Sequence, residues 1–323
     1  MSAIGLYHYG LYFLTTAGIF GILALALNLQ WGLSGLFNLG IAGFFAVGAY
    51  ASALVTGPAT PDHWGGFALP LPVGVAVAML CSAVLAFVIG AATMRLRSDY
   101  LAIATLGIAE VIRLVIKNES ELTGGVRGMS GIPSPFDAHS GLVMLIIVAI
   151  TLVLIYWLVE RARVSPWGRV LRGIRENEDS ALAAGKSVTR FRLQAFVAGS
   201  AFMGLAGALY ASSIGFISPE AFQPLYGTFV IWVMLIAGGS GNNIGTVVGT
   251  FLVWFVWSFS SVLTDLLPAD MATQAGAIRI FLIGLLLQVI LLTRPEGLFP
   301  ERPPPLIGRP RKAADVDKTG TRN

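Results

Sequence analysis

Apolar residues along this chain gather into stretches of about twenty, the length a helix needs to cross a bilayer. They fall near 9–28, 33–56, 71–94, 99–117, 141–160, 194–214, 225–240, 244–263 and 275–293, separated by short polar links. The pattern predicts an all-α, polytopic transmembrane helical bundle of about eight to ten spans. Residues 1–298 form one membrane domain on this reading, and 299–323 a basic, disordered cytoplasmic tail.

One long polar island interrupts the series. Residues 161–193, RARVSPWGRVLRGIRENEDSALAAGKSVTRFRL, hold eight cations: Arg161, Arg163, Arg169, Arg172, Arg175, Lys186, Arg190 and Arg192. So basic a loop stays in the cytoplasm under the positive-inside rule. Arg95 and Arg97 place the turn after the third stretch on the same side, as do the cations that follow Arg294. Four stretches lie between island and tail, an even number, as two cytoplasmic ends require. The connection 118–140 and the first residues then lie outside.

The island is helical in its local grammar. Ser165 followed by Pro166 reads as an N-cap with proline at the first helical position. Asn177 caps a second, very short helix, with Glu178 and Asp179 in the first turn, where the macrodipole favours negative charge. Gly185 ends it. The body of that helix, Ser180 to Ala184, has little side-chain bulk, so another protein surface can approach its backbone closely.

Glycine and asparagine disturb two of the apolar stretches. The second contains Gly32, Gly35, Gly40, Gly43 and Gly48 around Asn38. A similar texture returns at Gly238-Gly239-Ser240-Gly241-Asn242-Asn243-Ile244-Gly245. Discontinuous helices of this kind, one in each half, mark the midplane substrate sites of transporters. Asn38, Gly40 and Gly43 are therefore assigned to a substrate pathway, with Thr105 and Glu110. Gly241, Gly245 and Gly249 recur every fourth residue and are assigned to close helix packing.

Glu110 and Arg113 sit inside an apolar stretch at i and i+3, on one helix face. An unpaired charge at the bilayer centre costs roughly 2.5–3.5 kcal/mol, so a structural ion pair is the favoured reading, and a polar wall of the pathway the alternative.

Composition agrees: 55% of residues are hydrophobic and 12% charged. The net charge of +4 lies in loops and speaks to orientation and anionic membrane lipid, not to nucleic acid. The first apolar run lacks a basic leader, so it is expected to be retained although Ala24-Leu25-Ala26 fits a cleavage site. Cys81 is the only cysteine, and His8, His63 and His139 lack metal-ligand spacing. Gly185-Lys186-Ser187 resembles the end of a phosphate-binding loop, but Ser180 stands where its first glycine is required. No catalytic residue, metal or cofactor is expected, and no ATP hydrolysis by this chain.

Three strings carry a family resemblance: LNLQWGLSGLFNLGIAGFFAVGAY, SDYLAIATLGIAEVIRLVIKNESELTGGVRGMSGIP, and RVLRGIRENEDSALAAGKSVTRFRLQAFVAGSAFMGLAGALYA. In this order they resemble the branched-chain amino acid permeases of the LivM type, inner-membrane subunits of ABC importers. Asn242 and Asn243 depart from the bulkier, less polar stretch expected there. The island resembles the importers' coupling loop, although its Glu-Ala-Ala triplet is not literally present. The resemblance implies a coupling role for Arg175, Glu178, Asp179, Ala181, Ala184 and Gly185. It also implies a heterodimer with a paralogous permease, two ABC ATPase subunits, and a periplasmic or lipid-anchored substrate-binding protein. Related permeases move urea, short amides or other amino acids. The rival from another class is a self-sufficient secondary transporter or channel, for which Glu110 is the one strong titratable candidate.

Overall fold

The first apolar stretch folds into one long helix, α1 (Ala3–Ser34), and the second is cut short. The chain leaves helical geometry at Gly35 (φ +69°) and re-enters it at Ile41, giving α2 (Ile41–Thr56). The span expected over 33–56 is thus a break at 35–40 followed by a half-length helix. The computed structural model describes residues 3–59, 64–135, 140–264 and 272–301. His63, His139 and the basic tail from Arg302 lie outside the described residues.

Next come α3 (Leu71–Thr93), α4 (Ser98–Asn118), the single turn α5 (Ser120–Thr123), strand β1 (Met129–Ser130) and α6 (Ser140–Val164). The polar island folds as α7 (Pro166–Glu176) and α8 (Glu178–Ala183), and leads into α9 (Val188–Ile214). Strand β2 (Phe216–Ile217) pairs antiparallel with β1, Met129 opposite Ile217. A π-helical turn, Leu225–Phe229, opens into α10 (Val230–Gly238); α11 (Asn243–Thr264) and α12 (Ala272–Thr293) follow.

Among the described residues, five helices are long and apolar enough to cross a membrane: α1, α3, α6, α9 and α11. Ile41–Thr56, Leu225–Gly238 and Ile280–Thr293 are shorter apolar helices. The protein is an all-α polytopic membrane protein. The apolar spans of α1 and α9 are 72% buried, whereas those of α3 and α6 are 33% and 22% buried. The first two therefore form the centre, and α3 and α6 turn Leu80, Phe87, Ile150 and Val153 outward, the face a lipid-exposed helix presents. Small residues draw α2, α3 and α9 together: a Cβ at Gly48 would overlap the Gly204 backbone, and one at Gly204 the Ser82 side chain. Close backbone approach is how membrane helices associate without a hydrophobic driving force.

Loops gather at two ends. One holds the β1–β2 pair and the bond from Trp64 N–H to the Glu121 carbonyl, 2.7 Å. The other holds the 35–40 break, α7, α8, the turn 239–242 and residues 294–301, which pack against each other.

Candidate functional site

The polar island begins as its sequence predicts. Ser165 Oγ accepts from Gly168 N–H at 3.2 Å, with Pro166 at the first helical position. Asn177 Oδ1 accepts from Ser180 N–H at 2.9 Å and starts α8. Gly185, at φ +74°, closes it, with its own N–H donating to the Leu182 carbonyl at 2.9 Å. No Cβ contact would arise at Gly185, so only backbone conformation demands glycine there.

The two helices differ in burial. On α7, Leu171, Arg172 and Ile174 are buried against the bundle. On α8 nothing is buried: Glu178, Asp179 and Ala184 are exposed, Ala181 is half-buried, and Leu182 is 52% exposed at its crest. Glu178 is tied to Arg192 of α9 at 2.9 Å. A groove of about 360 Å³ runs between α7 and α8, bordered by Arg169, Gly173, Ala181 and Lys186. The result is a firmly rooted platform carrying a small-residue crest beside a cationic groove.

Arg175 roots the platform. Its guanidinium donates to the Gly32 carbonyl at the end of α1 and, at 2.8 Å, to Glu301 Oε2. Residues 298–301 reach this point by lying along the end of α10. Leu298 and Phe299 N–H donate to the Ala237 and Gly238 carbonyls, each at 3.0 Å, and Asn242 Nδ2 donates to the Pro300 carbonyl. Arg172 donates to the Arg163 carbonyl at 3.1 Å, and its Nη1 has no partner among the described residues. Burial, and then the nearby Arg163 charge, hold the Arg172 guanidinium below its ordinary basicity.

A buried polar knot lies above this platform, and the break at 35–40 is its centre. Asn38 is fully buried; its Nδ2 donates to Gln30 Oε1 (2.8 Å) and its Oδ1 accepts from Gly40 N–H (2.7 Å). Its carbonyl accepts from Trp232 Nε1 at 3.0 Å, and Leu39 N–H donates to Thr105 Oγ1 at 3.0 Å. Gln30 reaches on to the Phe196 carbonyl at 2.8 Å, and Thr228 Oγ1 accepts from Ala42 N–H at 3.2 Å. Backbone groups freed at the break and at the start of α2 are met from three other segments, α4 through Thr105, α10 through Trp232 and the π-helical turn through Thr228, as buried irregular backbone in a membrane protein requires. The structure thus brings Asn38, Gly40 and Thr105 together. A Cβ at Gly40 would crowd the Thr105 carbonyl, and one at Gly43 would crowd Ala109, so both glycines seat α2 on α4.

The second interruption is knotted as well. Asn28 Oδ1 accepts from Gly241 N–H, and its Nδ2 donates to Asn243 Oδ1, both at 2.8 Å. Asn243 donates to Glu160 at 2.7 Å, and Asn242 Oδ1 caps the first turn of α11. Gly245 and Gly249 lie in the contact of α11 with α10, where a Cβ would meet the Gly238 or Met234 backbone; Gly241 lies in the turn, against Glu301.

Glu110 stands apart from Asn38, toward the opposite end. Arg113 grips it with two bonds, Nε to Oε2 at 2.9 Å and Nη2 to Oε1 at 2.6 Å. Arg113 and Lys117 also face Glu220 of the loop before α10, at 3.5 and 3.2 Å, and Gln223 bonds the same carboxylate. The pair is therefore half of a four-charge network between α4 and that loop. Among the described residues, no cluster of three or more metal-ligating side chains forms.

The model of the family described as "Branched-chain amino acid transport system / permease component" matches residues 9–291. The chain belongs to this family. The permease is 32% identical to the high-affinity branched-chain amino acid transport system permease proteins LivM of Salmonella typhimurium and Escherichia coli, over 90% of its own length and 70% of theirs. It is 30% identical to the probable LivM protein of Methanocaldococcus jannaschii, over 94% and 96% of the two chains. A shorter match, 29% over 62% of the permease and 58% of the relative, joins it to the autoinducer 2 import system permease protein LsrC of Shigella flexneri. No solved structure gives a significant match.

Several residues that organise the permease's site escaped the sequence reading: Asn28, Gln30, Glu160, Glu220, Trp232 and Glu301. Asn28 and Gln30 had a signal, since two amides in an apolar helix must find partners. Glu301 had none, because it lies 126 positions from Arg175.

Proposed function

We propose that the protein is the membrane-spanning permease subunit of an ATP-driven importer that carries branched-chain amino acids across the cytoplasmic membrane. Its crest, with Glu178, Asp179, Ala181, Ala184 and Gly185, docks into a separate ATPase subunit at the cytoplasmic face. Arg175 carries the resulting motion into α1. The observation that carries this reading is the contrast between α7 and α8. One is anchored in the bundle, and the next is capped at both ends yet buries nothing. Such a helix, held to α9 through the Glu178–Arg192 pair and otherwise exposed, leaves its small-residue face open to an external partner. The family match supports it, and the relatives' names supply the substrate class.

The assembly proposed is a heterodimer with a related permease, two ATPase subunits and a substrate-binding protein on the outer face. Asn38, Gly40, Gly43 and Thr105 serve the pathway indirectly, by holding the ends of α2 and α10 in a knot that both must pivot about. Glu110 is held in an ion pair within α4 by Arg113, which also faces Glu220 of the loop before α10, so it is poorly placed to act as a proton carrier, which disfavours a self-sufficient secondary transporter.

Reconstitution tests the proposal. Vesicles holding the permease pair with its ATPases should take up loaded substrate only with ATP inside the compartment that the crest faces. Uptake driven by an ion gradient, with the permease alone, would overturn it.

A further inference from the structure

The four-charge network borders a cavity that the polar knot does not use. It measures about 250 Å³ and is walled by six aromatic side chains, Phe20, Phe45, Tyr210, Tyr226, Trp254 and Trp257. Glu220 is the one charged residue of its lining, and its side chain is half exposed. Small-molecule sites run to roughly 300–1,000 Å³, so this cavity suits a ligand smaller than a drug, of the size of one amino acid. Trp254 is 8% exposed and its indole Nε1 has no hydrogen-bond partner among the described residues, a buried donor of the kind a ligand's acceptor satisfies.

The chemistry of wall and rim differs sharply. The walls offer apolar rings, and polar groups only as phenol and indole. At one end Glu220 lines the cavity, and behind that carboxylate, outside the lining, stand Lys117 Nζ at 3.2 Å and Arg113 Nη1 at 3.5 Å from it. A sugar or a urea would need several polar partners along the walls. A zwitterion with a branched aliphatic tail needs one cationic and one anionic partner at a single end, and apolar walls beyond.

We propose that this cavity receives the aliphatic side chain of a zwitterionic amino acid in transit, with Glu220 taking the ammonium and Lys117 and Arg113 facing the carboxylate. The proposal rests on the importer reading and adds the place and pose of the substrate.

Cysteine protection tests it in the complete transporter. Ala221 lines the cavity, and Cys81 is the only native cysteine, so Ala221→Cys in a Cys81→Ser chain gives a single reporter thiol. Leucine at ten times its dissociation constant is expected to slow alkylation of this thiol about tenfold, as occupancy requires. Glycine, which has no side chain to seat, is expected to protect far less. Glu220→Gln is expected to lower leucine uptake per transporter about tenfold by weakening the head-group contact. Alkylation indifferent to leucine, in a complex that still imports leucine with ATP, overturns the cavity and leaves the importer reading standing. Loss of protection in Glu220→Gln together with lost uptake supports the pose, whereas unchanged uptake overturns the role of Glu220. A complete complex that imports no leucine with ATP overturns the importer reading itself.

Discussion

Arg175 of the α7–α8 platform and Glu301 of the C-terminal segment meet at 2.8 Å, although 126 positions separate them. Each is about three-quarters buried, and the same guanidinium holds the Gly32 carbonyl at the end of α1. One side chain therefore ties together the first helix, the platform, and the strap laid along α10. In the coupling proposed above, a push on α8 would reach the first helix and the C-terminal segment through it.

Replacing Glu301 with Gln keeps the size but removes the charge-assisted bond, an interaction worth about 1.5–3 kcal/mol when charged and partly buried. The expected outcome is fewer substrates carried per ATP hydrolysed, with the permease still inserted and assembled. Arg175→Glu alone should behave like Glu301→Gln or worse, and Arg175→Glu with Glu301→Arg should recover part of the loss. Uptake and hydrolysis measured together in vesicles check this. Equal losses in both rates would make the pair a matter of folding only.

Gly185 presents a separate handle on coupling. Open space surrounds it, so Gly185→Ala meets no clash and costs only its left-handed backbone, about 1–2 kcal/mol. A modest loss of uptake is expected for alanine. Gly185→Trp adds bulk on the docking side and should abolish uptake while membrane insertion continues. Normal uptake with tryptophan would remove the docking role from this end of α8.

The knot at the break should show itself in stability. Asn38→Leu leaves Gln30 Oε1 and Gly40 N–H without their present partner. A buried unsatisfied group costs about 1–3 kcal/mol, although hydrogen bonds in one membrane protein average only about 0.6 kcal/mol. The thermal midpoint of the purified permease should fall, more than it does for Asn118→Ala, whose one bond lies at the exposed end of α4.

Glu220 gives a pH dependence of known sign. Bonds from Gln223 and then Lys117 hold its carboxyl below the usual glutamate range. A depressed folded value means that the contribution is complete above the unfolded value of about 4.3 and is lost as pH falls through the folded one. Hydrogen exchange in 216–223, corrected for its intrinsic pH dependence, should rise only in that acid window. Glu220→Gln should remove the step.

What could be read beforehand follows from range. The caps at Ser165 and Asn177 and the turn at Gly185 depend on neighbours three or four positions away, so the sequence displays them directly. The Glu110–Arg113 pair is equally local. The break at 35–40 left a trace as Gly35, Asn38 and Gly40, but its position did not follow from hydropathy, because 33–56 is apolar apart from Ser34, Asn38, Ser52 and Thr56. The partners of Asn38, Gln30 and Asn28 lie up to 215 positions away, and no local pattern announces which amide meets which. Phe299 and Glu301 fall just beyond the membrane domain drawn at 298, and the structure packs both against the bundle. Lone polar residues in apolar runs announced the need for a partner and left its identity open.

The docking itself can be interrogated at Leu182, the exposed crest of α8. A photo-crosslinking residue there, in the intact membrane assembly, should join the permease to its ATPase subunit, with a yield that changes when ATP is trapped. Labelling of position 182 from the outer face, or crosslinks to nothing but lipid and water, would contradict the docking on which the importer reading depends.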